Sequence, residues 1–346
     1  MKNGKLSVAY RAEMFRLLKS KSIWVFFIIM TVIVLLLLTV LSNSSFVTDS
    51  YNTWSVPEDI DKEIAELDKM EAEYSKELEY YPQDITINNQ LYNIKVKKAV
   101  YNYFKDNGIT EGTYQDFLIS QTDLNIEDVY DYASYAISIA VGFTVLFYGS
   151  VAAGSIAGEK KNGTLKISLL RPVNRKDIIS AKFLAYFTCA AVTLIAEFFV
   201  ATVFGLIVAD GFMTPVIMVF NATGVSVVNP FVALLIILLF GLIFIAIMIM
   251  GAIFVGVICN GKVPAVLFFL FLICGVFSGS IISLISTLIF NVDLAGFLPI
   301  NACDLTICFM ATKDGIGTVI PYIFFAVIYA VTFTVLSYIL FNRQDN

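Results

Sequence analysis

Residues 158–182 read Gly-Glu-Lys-Lys-Asn-Gly-Thr-Leu-Lys-Ile-Ser-Leu-Leu-Arg-Pro-Val-Asn-Arg-Lys-Asp-Ile-Ile-Ser-Ala-Lys. This basic segment separates two long apolar runs and holds seven of the 23 Lys and Arg residues in the chain. A short cationic loop between two membrane spans is typical of the cytoplasmic side. Within it Leu165, Leu169 and Leu170 recur at helical spacing, and Pro172 follows as a stop. The pattern predicts a short amphipathic helix that presents an apolar face, surrounded by cations, to a docking partner.

The chain as a whole is too apolar for a soluble domain. Of its 346 residues, 58% are hydrophobic and 15% are charged, whereas soluble domains carry about 25% charged residues. Six apolar runs are long enough to cross roughly 30 Å of hydrocarbon at about 1.5 Å per residue. We predict an all-α, polytopic membrane protein, since the alternating pattern of a membrane β-barrel is absent. The six predicted transmembrane helices cover residues 23–42, 134–158, 181–208, 231–259, 265–290 and 319–341.

The distribution of cations predicts the orientation. Four segments on one predicted side hold 15 of the 23 Lys and Arg residues: 1–22, 159–182, 260–264 and 342–346. Short cytoplasmic loops carry an excess of Lys and Arg, and long translocated domains count little in this rule. We expect a multi-pass protein of the cell membrane with both termini in the cytoplasm. Residues 43–133 then form an extracytoplasmic domain, and residues 291–318 form an outer loop.

The N-terminal segment, residues 1–22, carries six Lys and Arg residues interleaved with apolar ones such as Val8, Met14 and Phe15. This mixture predicts an amphipathic helix lying in the inner headgroup layer. The alternative is a simple positively charged flank of the first span. The first span is expected to remain as an anchor, because its apolar core is too long for a cleavable signal peptide and no small-residue cleavage site follows.

The predicted outer domain, residues 43–133, is strongly acidic, with 19 acidic and seven basic residues. Apolar residues at helical spacing from Ile60 predict an amphipathic helix that ends before Pro82, and a second helix is expected at 89–105. We predict a helical domain. Its acidic surface is either a solvated cap or a vestibule that attracts a cationic substrate.

The sequence offers few residues that could bind a metal, catalyse a reaction or hold a cofactor. The chain has no histidine, so we expect neither a metal site nor catalytic residues. Residues 256–263 approximate a phosphate-binding P-loop, but Val263 stands where Ser or Thr must hold magnesium, and the segment ends a span rather than a strand. We therefore expect no cofactor on this chain. Cys303 and Cys308 share the outer loop and have the option of pairing in an oxidising compartment.

Glu197 is the candidate intramembrane site, because it stands alone within the third predicted span. A charged, unpaired carboxylate at that depth costs several kcal/mol, so Glu197 is expected to be protonated, paired or turned to a polar cavity. It is either a proton or cation site, or a contact for a basic substrate group, or a neutral acid hydrogen-bonded to a neighbouring hydroxyl.

Small residues recur at helix-packing spacing in two predicted spans. Gly154 and Gly158 lie on one stripe of the second span, and Gly275 and Gly279 lie on one stripe of the fifth. Small residues four apart let helix backbones approach closely in lipid. We predict tight packing within or between subunits, with the gate of a pore as the alternative.

The basic loop resembles the first cytoplasmic loop of type-2 ABC transporter permeases. That loop often shows an acidic residue, Gly-Thr-Leu, a Leu-Leu pair, Pro-Val-x-Arg and a Lys that opens the next span. Here these features are Glu159, Gly163, Thr164, Leu165, Leu169, Leu170, Pro172, Arg175 and Lys182. The six-span count and the basic N-terminus agree with the resemblance, whereas the insert at 43–133 departs from it.

The resemblance implies a membrane subunit without catalytic residues of its own. A coupling helix in the loop would rest in a groove of a separate ATP-binding subunit, which would hold ATP and Mg. Two permease chains, expected to be identical, would form the transporter in the lipid bilayer, with no nucleic acid involved. The expected function is export of an amphipathic substrate such as a peptide antibiotic, a lipid-like molecule or a drug.

Two other functions remain open at this point. An ion-coupled secondary transporter using Glu197 would predict two-fold symmetry between halves of the sequence, which is not evident. A membrane sensor with 43–133 as its ligand-binding domain would predict a cytoplasmic signalling module, but only residues 342–346 follow the last predicted span.

Overall fold

The structure is a computed structural model. It describes residues 3–43, 56–80, 85–109, 118–119, 129–164, 174–209, 216–221, 224–273 and 316–343. Over these residues it contains nine helices and three strands. In chain order they are α1 Asn3–Leu18, α2 Lys21–Asn43, α3 Ile60–Tyr80, α4 Ile85–Asp106, β1 Leu118–Ile119, α5 Val129–Lys161, α6 Arg175–Val208, β2 Val216–Asn221, β3 Gly224–Val228, α7 Pro230–Ile258, α8 Lys262–Ile273 and α9 Ile316–Arg343.

Five of these helices, α2, α5, α6, α7 and α9, are long and apolar enough to cross a membrane. The predicted class, a polytopic helical membrane protein, is therefore confirmed. The fifth predicted span, 265–290, begins inside α8, and its residues beyond Ile273 lie outside the described part of the chain. The count of six spans therefore stays a prediction.

Helices α5 and α7 form the centre of the bundle. Of the five spanning helices they bury the largest share of their apolar stretches, whereas α2 and α9 bury the smallest. The contact between them is close: a Cβ added to Gly256 would lie 2.6 Å from the backbone oxygen of Ala153, and one added to Gly241 would lie 2.7 Å from Val141 Cγ2. Without side chains at these points the two helices approach closely, as helices in lipid do when they associate through packing.

The helices extend beyond the predicted spans at both ends of the basic loop. Helix α5 runs on to Lys161, and α6 begins at Arg175, one residue after its N-cap Asn174. Both helices therefore reach into the segment 159–182 that was predicted as the coupling loop. The first and last residues of that loop are in this way fixed to the two spans that it connects.

The described residues of the part predicted to lie outside the membrane are mainly helical. Helices α3 and α4 pack against each other through a small apolar core that includes Leu67, Val100 and Phe104. Ion pairs from Lys98 to Asp68 and Glu71 cross between the two helices. The hydrogen bonds that Lys98 makes with these two carboxylates raise the pKa of Lys98, so it is charged at neutral pH.

Three short strands, which the sequence analysis did not predict, add a small sheet in the order β1-β2-β3. Strand β1 pairs in parallel with β2, and β2 pairs antiparallel with β3 in a register that sets Val216 opposite Val228. Valine-rich segments on either side of a turn favour strands because branched side chains fit a pleated surface. Pairing with β1 ties the segment before α5 to the connection between α6 and α7.

Gly256→Ala tests the close approach of α5 and α7. The added methyl group would meet backbone rather than a flexible side chain, so the helices must separate, and we expect a loss of about 1–3 kcal/mol in the free energy of unfolding. Gly142→Ala in α5 is the matched control, since a Cβ there meets nothing within 4 Å. Thermal unfolding in detergent measures both. Equal midpoints for the two variants would contradict the packing described.

Candidate functional site

A buried lysine lies where α1, α5 and α6 meet. The side chain of Lys182, on α6, is only 2% exposed. Its Nζ donates to Glu159 Oε1 at 2.7 Å, to Glu13 Oε1 at 3.0 Å and to Ser155 Oγ at 3.2 Å. Three donors on the ammonium therefore find three acceptors, two of them carboxylates, which is what a buried cation requires.

A second cation, Arg16 of α1, completes the group. Arg16 Nη1 donates to Glu159 Oε1 at 2.6 Å, and Nη2 forms an ion pair with Glu13 Oε2 at 2.7 Å. Nη2 also donates to Ser155 Oγ at 3.0 Å and to Tyr186 Oη at 3.2 Å. We call Glu13, Arg16, Glu159 and Lys182 the charge cluster. Its two carboxylates balance its two cations.

The charge cluster also fixes the protonation of Arg16. Burial by itself would lower the pKa of the guanidinium, but the nearby Tyr186, Glu13 and Glu159 outweigh this effect and raise the pKa above its usual range. Arg16 therefore stays positive throughout the physiological range.

Each member of the charge cluster is positioned by its helix. Glu13 and Arg16 are three residues apart on α1 and so lie on one face of it. Glu159 is in the last turn of α5, and Lys182 is two turns into α6. Tyr10 Oη also donates to Thr188 Oγ1 at 3.2 Å, one further contact that seats α1 against α6.

Gly163 and Thr164 of the predicted coupling motif lie where helix α5 ends. Gly163 adopts a φ of +72°, a left-handed conformation that glycine accepts at little cost, and its N–H bonds to Lys160 O at 3.3 Å. Thr164 Oγ1 donates to Glu159 O at 3.3 Å. The Gly-Thr pair of the motif therefore has a local physical role, which is to stop the helix that carries Glu159 and turn the chain.

Arg175 lies at the other end of the loop. Its Nη1 donates to the carbonyl oxygens of Phe341 at 3.4 Å and Asn342 at 3.2 Å, near the C-terminus of α9. A cation there satisfies carbonyls that the helix leaves unpaired. The remaining predicted docking residues, Leu165, Leu169, Leu170 and Pro172, lie outside the described residues.

Sequence reasoning identified Glu159 and Lys182 but missed Glu13, Arg16, Ser155 and Tyr186. One signal was available, because Glu13 is the single acidic residue among residues 1–22. An acidic residue in a basic interfacial helix indicates a specific partner rather than a general attraction to lipid headgroups.

Glu197 is fully buried between α6 and α2. Its Oε1 lies 2.5 Å from Thr31 Oγ1, which in turn lies 3.0 Å from the carbonyl oxygen of Phe27. A hydroxyl has one proton, so both contacts are satisfied when a protonated Glu197 donates to Thr31 and Thr31 donates to Phe27. Glu197 Oε2 is buried and has no hydrogen-bond partner among the described residues. This geometry favours a neutral acid that joins two spans.

The predicted glycine stripe of α5 faces α8. A Cβ on Gly154 would lie 3.1 Å from Lys262 Cγ and 3.2 Å from Val266 Cγ2, and one on Gly158 would lie 3.9 Å from Lys262 Cβ. The stripe is thus used in packing within the chain. Gly275 and Gly279 lie outside the described residues.

The segment that approximates a P-loop, residues 256–263, lies at the connection between two helices. Gly256 is in the last turn of α7, and α8 begins at Lys262. A helix, rather than the strand of a phosphate-binding loop, precedes Gly261.

Comparison with known families agrees with this architecture. Residues 8–346 match the family described as ABC-2 family transporter protein. The match covers nearly the whole chain, so the chain belongs to this family of ABC transporter membrane proteins, and the resemblance to a type-2 ABC permease is confirmed. Proteins of this family are membrane transport subunits that normally work with an ATP-binding subunit. No curated protein matches the chain.

Glu159→Gln tests the charge cluster. The change leaves Lys182 and Arg16 with one carboxylate between them, so we expect a loss of about 3 kcal/mol in stability. Glu77→Gln, on an exposed position of α3, is the matched control and should have no effect. The double variant Glu159→Gln/Lys182→Met removes one charge of each sign and should be more stable than Glu159→Gln alone. The measurement is the midpoint of thermal unfolding in detergent. A midpoint of Glu159→Gln equal to that of Glu77→Gln would contradict the role of Glu159 in the charge cluster.

Thr31→Val tests the hydrogen bond between Thr31 and Glu197, and Glu197→Gln tests whether the carboxyl of Glu197 is protonated. Thr31→Val removes the hydroxyl that the carboxyl contacts, and we expect a cost of about 1–3 kcal/mol. Thr202→Val is the control, because among the described residues its hydroxyl bonds only to Phe198 O within its own helix. Glu197→Gln should retain stability, since a neutral amide donates to Thr31 as a neutral acid does. Strong destabilisation by Glu197→Gln would mean that the carboxyl is ionised.

Proposed function

We propose that this chain is the permease subunit of an ATP-driven exporter and that a separate subunit binds and hydrolyses ATP with Mg. The observation that carries the proposal is the charge cluster. It joins the last turn of α5, the first turns of α6 and the N-terminal helix α1. These are the two ends of the basic loop and the N-terminal helix that packs against them.

The charge cluster would couple the basic loop mechanically to α1, α5 and α6. Breaking a buried, hydrogen-bonded ion pair by removing one partner costs about 3–5 kcal/mol, so the three helix ends are expected to move together rather than slide past one another. A force applied to the loop between α5 and α6 would then act on all three helices. Without such a link, the same force would be taken up by bending of the loop.

Helix α5 is suited to carry this movement through the membrane. It has 33 residues, which corresponds to about 50 Å at 1.5 Å per residue. Its middle packs closely on α7, with Val141 against Gly241. A tilt of α5 driven from the loop would therefore change the packing at the centre of the bundle, and that is the movement a translocation path between spans requires.

The orientation that we propose puts the charge cluster on the cytoplasmic side, with α1 in the headgroup layer. Three large apolar residues of α1, Val8, Phe15 and Leu18, are exposed and would enter the lipid, while Lys19 lies over the Phe15 ring at 4.7 Å. In this orientation the basic loop lies on the side of a cytoplasmic ATPase, and helices α3 and α4 lie outside.

The substrate class that we propose is an amphipathic molecule, and the working unit contains two copies of this chain. The peripheral helix α2 exposes apolar residues such as Val32 and Leu36, and these surfaces require either lipid or a second copy. An apolar molecule with a cationic group would be attracted by the acidic predicted outer domain, residues 43–133, and accepted between apolar spans. Peptide antibiotics, lipid-like molecules and drugs share these properties.

A triple variant, Leu165→Asp/Leu169→Asp/Leu170→Asp, tests the docking of an ATPase. Three carboxylates in place of the apolar face should abolish burial in a partner groove, so an ATP-binding polypeptide that co-purifies with the parent chain from native membranes should be lost. Met70→Asp is the control, since it places a charge on an exposed apolar position of α3. Co-purified ATPase activity and the gel band are the two measurements. Unchanged co-purification by the triple variant would overturn the proposed coupling role of the loop.

A further inference from the structure

An open cavity of about 620 Å³ lies beside the charge cluster, between the α1–α2 junction, α5 and α8. Its size is within the range of about 300–1,000 Å³ that is typical of small-molecule sites. The side chains that matter for its chemistry are Arg16, Ser22, Phe147, Val151, Lys262 and Val266. We call this cavity the headgroup pocket.

The rim of the headgroup pocket has an excess of positive charge. The side-chain ammonium of Lys262 makes no ion pair or hydrogen bond with any described residue, and its stem lies along α5, with Cε 3.3 Å from the Cβ position of Gly154. The other charged groups at the rim, Arg16 and Glu159, are balanced within the charge cluster. Lys262 is therefore the cation of the pocket that is left for a ligand.

Two helices also begin at the headgroup pocket. Ser22 belongs to the first turn of α2, and Lys262 is the first residue of α8. The N-terminal end of a helix carries a partial positive charge and free N–H groups, which favour an anion. The Ser22 hydroxyl makes no hydrogen bond with a described residue and is available as a donor. The chemistry of the rim is thus that of a phosphate site.

The inner wall of the headgroup pocket is apolar. Phe147 and Val151 lie about four and three turns before the end of α5, and Val266 lies one turn into α8. Trp24 marks the level at which the spans leave the hydrocarbon, because its ring is exposed and its Nε1 donates to Leu18 O at 3.0 Å. The cationic rim is therefore at headgroup depth, and the apolar wall continues towards the acyl chains.

We propose that the headgroup pocket binds the phosphate of an anionic phospholipid, with its acyl chains against Phe147, Val151 and Val266. Lys262 supplies the charge, and Ser22 supplies a hydrogen bond. A soluble phosphate compound would satisfy the cationic rim alone, whereas a lipid satisfies the rim and the apolar wall together. The site does not depend on the proposed ATPase partner, and it requires only that this end of the bundle lies at a membrane surface.

Native mass spectrometry of the full chain in detergent tests the proposal, with phosphatidylglycerol and phosphatidylcholine of the same acyl chains as probes. The parent should retain phosphatidylglycerol in preference to phosphatidylcholine. Lys262→Gln and Ser22→Glu should each weaken the binding of phosphatidylglycerol by about tenfold or more. Lys176→Gln, an exposed cation on α6 that does not line the pocket, is the matched control and should change binding by less than about twofold.

Three results would overturn the proposal. The first is binding of phosphatidylglycerol that is equal in the parent, Lys262→Gln and Ser22→Glu, with circular dichroism confirming that all are folded. The second is equal retention of both lipids by the parent, which would mean that the pocket does not distinguish lipids by the charge of their headgroups. The third is displacement of phosphatidylglycerol by millimolar glycerol phosphate, which would identify a soluble phosphate compound as the ligand.

Discussion

The burial of Lys182 is the constraint on which the arrangement of this end of the bundle depends. An ammonium that is 2% exposed is costly unless carboxylates stand beside it, and they come from two other helices, as Glu159 of α5 and Glu13 of α1. If either carboxylate moved away, Lys182 and Arg16 would be left with one carboxylate between them. The single requirement of one buried charge therefore fixes how α1, α5 and α6 meet, and it explains why a basic helix carries an acidic residue at position 13.

This constraint connects the packing of the spans to the proposed function. Helix α5 carries Glu159 at one end and packs closely on α7 along its length, where Val141 meets Gly241 and Ala153 meets Gly256. The loop that follows α5 begins at Gly163, whose left-handed conformation ends the helix within a few residues of the cluster. Under the function that we propose, a loop fixed in this way would receive force from a partner subunit and pass it to α1, α5 and α6.

Much of the fold is local in origin and could be predicted from the sequence. Long apolar runs identify the spans, and the spacing of apolar residues from Ile60 indicates the helix that the structure has at Ile60–Tyr80. The rest depends on contacts between distant residues. Periodicity could not pair Lys182 with Glu13 or Glu197 with Thr31, which are 169 and 166 residues apart. Strands β2 and β3 were missed although their valines and the short Asn-Ala-Thr-Gly sequence at 221–224 form a recognisable hairpin pattern.

The side of the membrane on which the charge cluster lies is central to the account, and cysteine labelling measures it directly. Asn162→Cys places an exposed thiol beside the cluster, and Met70→Cys places one on α3, each in a chain whose native cysteines are replaced. With a maleimide that cannot cross membranes, position 70 should react in intact cells, and position 162 should react only after permeabilisation. Reaction of position 162 in intact cells would put the basic loop outside, where no cytoplasmic ATPase reaches it.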